Sequence, residues 1–169
     1  MKKNALLLTF LGSALSLSVM SQPTVSAPTP PELASSKVIS VYSDAYTSVG
    51  YSFGEWGSGT TTSEITLESD KIARFTTGNL GYFGWQLNST VNAIGMTNLH
   101  LDVWAAETTV FNLFPITGNP EQSKQVTAAA NQWTSVEFTV EEFTNLGLNM
   151  GNITQFKFAN VPRDRKSVV

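Results

Sequence analysis

Apolar side chains in this sequence recur at every second position from Lys37 to about Pro162, not at every third or fourth. That period places one residue set on a buried face and the other on the opposite face of an extended strand. A helical bundle and a doubly wound α/β fold are excluded by it, since the only helix-like piece is Val140-Glu141-Glu142-Phe143, a turn or two at most. Composition agrees: Ser and Thr make up 38 of the 169 residues and charged residues only 14%. With no cysteine, disulfide scaffolds, zinc-thiolate sites, thiol catalysis and a lipid-modified N-terminal cysteine are ruled out. Stability must come from a packed sheet core.

Strands are expected at 38–43, 61–69, 71–76, 81–87, 98–105, 109–116, 124–128, 133–140 and 154–159, separated by turn signals such as Thr117-Gly118-Asn119-Pro120 and Asn149-Met150-Gly151-Asn152. Short strands at roughly ten-residue spacing point to an all-β, two-sheet antiparallel sandwich of jelly-roll type. Alternation assigns faces. Leu99, Leu101 and Val103 point to the core, leaving His100, Asp102 and Trp104 together on the other side; Phe83, Trp85 and Leu87 point in, leaving Tyr82, Gly84 and Gln86 out. In the last strand Phe156 and Phe158 are core, opposite Gln155 and Lys157.

The chain divides into four parts. Met1-Lys2-Lys3 followed by an apolar run from Ala5 to Val19 reads as a secretory signal, taken over residues 1–27, with small-residue cleavage regions near residue 21 and at Val25-Ser26-Ala27. The run is shorter than the roughly 20 residues that a bilayer span requires. Residues 28–36, with Pro28, Pro30 and Pro31, form an expected extended linker. The module covers 37–162, and 163–169 is a tail with neither alternation nor an aromatic. Localisation follows from the signal: secreted, periplasmic or extracellular, with no membrane contact after cleavage.

Between Pro28 and Arg163 there are six basic and twelve acidic residues, a net charge of −6. A nucleic-acid or anionic-membrane binder needs clustered Lys and Arg, so neither partner is expected. Catalytic sets are poorly represented. His100 is the only histidine, no Gly-x-Ser-x-Gly turn occurs, and the one close acidic pair, Glu141-Glu142, is adjacent in sequence and diverges in space. The segment is therefore not expected to be an enzyme.

What remains is a polar sheet face carrying aromatics, and that chemistry suits sugars: pyranose C–H faces stack on indole or phenol rings while hydroxyls bond amides and carboxylates. Candidate platforms are Trp56, Tyr82, Trp85 and Trp104, with Gln86, His100, Asp102 and Asn112 as polar partners. Each aromatic has a competing reading as core, strongest for Trp85 and Trp133. Asp44, beside Ser43, is a candidate calcium ligand, with a turn-capping role as the alternative.

Three stretches, 38–46, 96–104 and 133–143, together resemble the galactose-binding-like jelly-roll modules of exported Bacteroidetes polysaccharide-degrading proteins, of the kind appended to family 16 glycoside hydrolases such as laminarinases. The resemblance implies carbohydrate binding, a covalently linked catalytic domain in the full-length parent, a β-glucan-like polymer as target, and a structural calcium site in which Asp44 takes part. A monomer is expected. Such modules close with a further strand after the one at 154–159, and that strand is expected to be lacking here. Back-translated as GAT CGG AAG AGC GTC GTG, Asp164 to Val169 resembles a sequencing-adapter end, so residues 163–169 are expected to be non-native or disordered and the natural chain to continue. The alternatives are a structural or adhesive sandwich with no sugar ligand, and the N-terminal fragment of a secreted glycoside hydrolase precursor.

Overall fold

The computed structural model describes residues 22–162 and 166–168. Of the leader expected over residues 1–27, residues 1–21 lie outside the described residues, as do 163–165 and 169. In chain order the strands are β1 (Tyr51–Gly54), β2 (Thr61–Leu67), β3 (Asp70–Thr76), β4 (Phe83–Val91), β5 (Asn98–Ala105), β6 (Thr109–Ile116), β7 (Lys124–Ala128), β8 (Gln132–Thr139), β9 (Ile153–Ala159) and β10 (Lys166–Val168), with a 3-10 turn at Ser35–Lys37 and, among the described residues, one α-helix, α1 (Val140–Asn145). They form two five-stranded antiparallel sheets, in the orders β1-β4-β9-β6-β7 and β2-β3-β10-β5-β8. The chain is an all-β sandwich.

Alternation decides what lies between the sheets. Phe75 and Ala73 from β3, Phe83 and Trp85 from β4, Val103 from β5, Phe111 and Leu113 from β6, and Phe158 from β9 all interlock there. Phe83 stacks on Phe75 at 4.0 Å between centroids and on Phe158 at 5.2 Å. A second cluster at the α1 end joins Leu87, Val91, Phe143, Met150 and Ile153. Helix α1 begins with a reciprocal cap. The Thr139 hydroxyl accepts from the Glu142 amide at 3.1 Å and the Glu142 carboxylate accepts from the Thr139 amide at 2.8 Å, which satisfies two of the orphan donors of a helix start. Phe143 is thereby placed in the core with no exposure.

Several elements differ from the sequence expectation, β1 and the extension of β4 to Val91 among them. Residues 38–43 form no strand: their one ladder contact is a bridge between Ser40 and Ser48. Their alternation still packs Val41 and Tyr42 on the core, Tyr42 lying 5.6 Å from Tyr51 and 6.0 Å from Trp85. The pairing position beside β4 is taken instead by the shorter β1. The slot expected to lack a closing strand also differs. Lys166–Val168 lies in it, antiparallel to both β3 and β5, because the facing backbone groups of two separated strands need partners whatever side chains supply them. The segment expected as an extended linker is bonded to the module: the Tyr46 hydroxyl donates to the Pro31 carbonyl at 2.7 Å and accepts from the Leu33 amide at 2.9 Å.

Candidate functional site

The outer face of the β1-β4-β9-β6-β7 sheet is read from its register. Gly54 pairs with Gly84, Gly84 with Lys157, and Lys157 with Phe114, so these four positions make one row across four strands, roughly 14 Å long at the usual strand spacing. Ser52, Gln86, Gln155 and Ile116 make the adjoining row. On the other side Ala159 pairs with Asn112, and Asn112 with Gln125. Two glycines lie in neighbouring strands of this face, and the missing side chain at Gly54 leaves a trough. A Cβ added at Gly84 meets the Phe156 carbonyl oxygen at 1.9 Å, and one added at Gly54 meets Trp56 Cζ2 at 2.1 Å.

Trp56 is the side chain that uses this trough. The turn after β1 closes with the Ser58 amide donating to the Glu55 carbonyl at 2.8 Å, and its central residues, Trp56 and Gly57, have φ of 43° and 74°. Left-handed backbone is costly for a bulky residue and is found where the surroundings enforce it, ligand sites among them. Here it folds the indole back over Gly54 while leaving it 37% exposed. The Tyr82 hydroxyl donates to the Trp56 carbonyl at 3.1 Å and holds the turn in place. Trp56, Tyr82, Gln155, Lys157 and Ala159 line a shallow, open hollow of about 320 Å³.

The polar groups beside this hollow are fixed. The Lys157 ammonium is bonded to the Glu121 carboxylate and lies 4.6 Å from the Phe114 ring centroid. Gln86 accepts from the Gln155 amide at 2.6 Å and donates to the Thr154 carbonyl at 3.2 Å. The face thus offers an exposed indole, a phenol ring, an ammonium-carboxylate pair and amides, which can stack on an apolar ligand face and bond its rim hydroxyls.

The sequence-predicted residues are only partly brought together. Trp56, Tyr82, Gln86 and Asn112 share this face. Trp85 does not: it is 5% exposed and points between the sheets, packed edge-on against Phe75 and Phe158 at 5.6 and 5.3 Å, as its alternation with Gln86 requires. His100, Asp102 and Trp104 lie on the outer face of the opposite sheet, across from Glu137, Ser135 and Trp133. His100 Nε2 is 3.1 Å from Asp102 Oδ2, and Ser135 donates to Asp102 Oδ1 at 2.5 Å. Trp104 is 4% exposed in a small cluster with Ile72, flanked by Ile65, Leu67 and Trp133, so it offers no platform. A larger hollow of about 660 Å³ near α1 is walled by Ile94, Met96, Thr139, Val140, Leu148 and Met150 among others and holds no ring to stack on.

Asp44 has a structural task. Its Oδ2 accepts from the Lys71 amide at 2.5 Å, on the part of β3 that β10 does not reach. Among the described residues no three His, Cys, Asp or Glu side chains gather as a metal group.

Lys157, Gln155, Phe114, Glu121 and the two glycines were not predicted as site residues. Alternation had already placed Lys157, Gln155 and Gly84 outward, and strand order was the missing piece.

Among solved structures, a family 29 carbohydrate-binding module is similar to this chain with a TM-score of 0.51 at 12% identity, covering 70% of this chain and 73% of the other. The fold is one that carbohydrate-binding modules use. A variant of a family 29 module (TM-score 0.48, 14% identity, 70% and 76% covered) and a family 61 module in complex with β-1,4-galactotriose (0.40, 9%, 70% and 81%) are similar at lower scores. No protein-family model matches, and no curated protein matches. No helix among the described residues is long and apolar enough to cross a membrane.

Proposed function

We propose that the outer face of the β1-β4-β9-β6-β7 sheet binds a polysaccharide, and that the domain is an exported, monomeric, non-catalytic module that brings a linked glycoside hydrolase to a β-glucan-like polymer. The observation that carries this reading is Trp56, held in a strained left-handed turn with its indole over Gly54 and its exposed side toward the Tyr82–Lys157 hollow. Stacking on the indole supplies apolar contact, and Lys157, Glu121, Gln155 and Asn112 supply bonds for ring hydroxyls. The similar family 29 carbohydrate-binding module agrees with this class of ligand.

Affinity electrophoresis in gels containing laminarin, with other glycans as a panel, tests it. Retardation that is lost in Trp56→Ala and retained in Trp104→Phe supports the proposal. A chain that no glycan retards is instead a structural or adhesive sandwich.

A further inference from the structure

Residues 22–27 lie at the margin of the expected leader, and they are bound to the sandwich. The Trp133 indole N–H donates to the Val25 carbonyl at 3.1 Å. The Ser26 hydroxyl contacts the Leu67 carbonyl at 3.2 Å and the Glu68 carboxylate at 2.9 Å, and the Ala27 amide donates to the Asp70 carboxylate at 2.9 Å. Pro23 is buried. The anchors are placed with meaning: Trp133 on β8 and Leu67 on β2 are both flanking residues of the outer-face cluster of Trp104 and Ile72. The segment therefore links the two borders of the one apolar cluster on that face.

Two small-residue regions compete as the end of the leader, Val19-Met20-Ser21 and Val25-Ser26-Ala27. Cutting after Ala27 would remove every bond just named, strip the acceptor from the Trp133 indole, and open the border of an aromatic cluster that a secreted domain needs covered. Cutting after Ser21 would keep them all. We infer that residues 22–27 are a strap belonging to the mature domain and that the processing site lies between Ser21 and Gln22. This inference rests on the export reading above.

The full precursor, exported in a bacterial host, supplies the test. The intact mass of the exported chain is expected to correspond to a start at Gln22. A bulky residue in place of the small side chain before the cut blocks processing, so Ser21→Leu is expected to accumulate precursor while Ala27→Leu is processed normally. A start at Pro28, or the reverse pattern in the two variants, overturns the inference. A precursor left uncut overturns the processing site and the export reading together. The strap itself is read separately, by amide hydrogen exchange on the full chain: the Ala27 amide is expected to be protected at least tenfold over a free-chain amide and to lose that protection in Asp70→Ala. Free-chain exchange at Ala27 in the unsubstituted protein refutes the strap.

Discussion

Substituting Gly54 by alanine perturbs the proposed glycan site without replacing any residue that would contact the ligand. The new Cβ would lie 2.1 Å from Trp56 Cζ2, so the indole must leave its seat, while the strand backbone at Gly54 has no need of glycine on conformational grounds. The loss can be sized from exposure. A tryptophan side chain presents up to about 250 Å², and with 37% of Trp56 exposed roughly 90 Å² is free for a sugar face. At about 25 cal/mol per Å², covering all of it contributes about 2 kcal/mol and covering half about 1 kcal/mol, a change of roughly five- to thirty-fold in Kd. Trp56→Ala and Gly54→Ala should therefore each weaken laminarin binding by that factor, and the double variant should be no weaker than the worse single one, because both remove the same contact. Calorimetric titration with laminarin oligosaccharides measures all four proteins. Unchanged affinity in Gly54→Ala beside a loss in Trp56→Ala would show that the seat over Gly54 is irrelevant; additive losses would refute the shared-contact argument.

Four further outcomes follow from the geometry. Trp85→Ala should cost about 3–5 kcal/mol in chemical unfolding as a core truncation, whereas Trp85→Phe should cost far less, because the indole N–H has no hydrogen-bond partner and its removal offsets part of the lost volume. Asp102→Asn and His100→Ala should leave glycan affinity unchanged, measured by the same titration, because both lie on the opposite sheet. Asp44→Ala should lower stability by about 1 kcal/mol or less by freeing an exposed amide, and the thermal midpoint of the unsubstituted protein should be the same in EDTA as in calcium; a midpoint that rises with calcium would put the ion back at Asp44. The Glu142 carboxyl is held below its ordinary value, first by the Lys124 ammonium and then by the Thr139 amide. A carboxyl depressed in the folded state stabilises at neutral pH, and that contribution fades as pH falls below about 4.5, so acid titration of unfolding should show a step that Glu142→Gln removes.

How much of this was legible in the sequence is decided by the range of the interaction concerned. Alternation is local, and it placed β5 at Asn98–Ala105 with the observed bounds and set Phe83, Trp85 and Leu87 inward. Strand order is not local. His100 and Gln86 both read as outward-facing polar residues, yet one faces away from the β2-β3-β10-β5-β8 sheet and the other from the β1-β4-β9-β6-β7 sheet, and only the pairings of β4 with β9 and β5 with β8 separate them. The same non-locality hid Lys157. Its outward direction was readable, but its place between Gly84 and Phe114, with Glu121 brought in from the β6–β7 loop, depends on β9 entering the middle of the sheet.

Trp56 shows the converse. A tryptophan between Glu55 and Gly57 reads as loop, and loops carry binding residues on rigid sheets, so its candidacy was visible. Its orientation depends on one absence that a sequence does display, Gly54, over which the indole folds back. Glycine inside a strand weakens it by leaving no side chain to pack, and such a position is often one where something else approaches closely. Over Gly54 the approaching group is the protein's own indole. Over Gly84 it is the neighbouring strand itself, whose Phe156 carbonyl oxygen lies 1.9 Å from where a Cβ would stand.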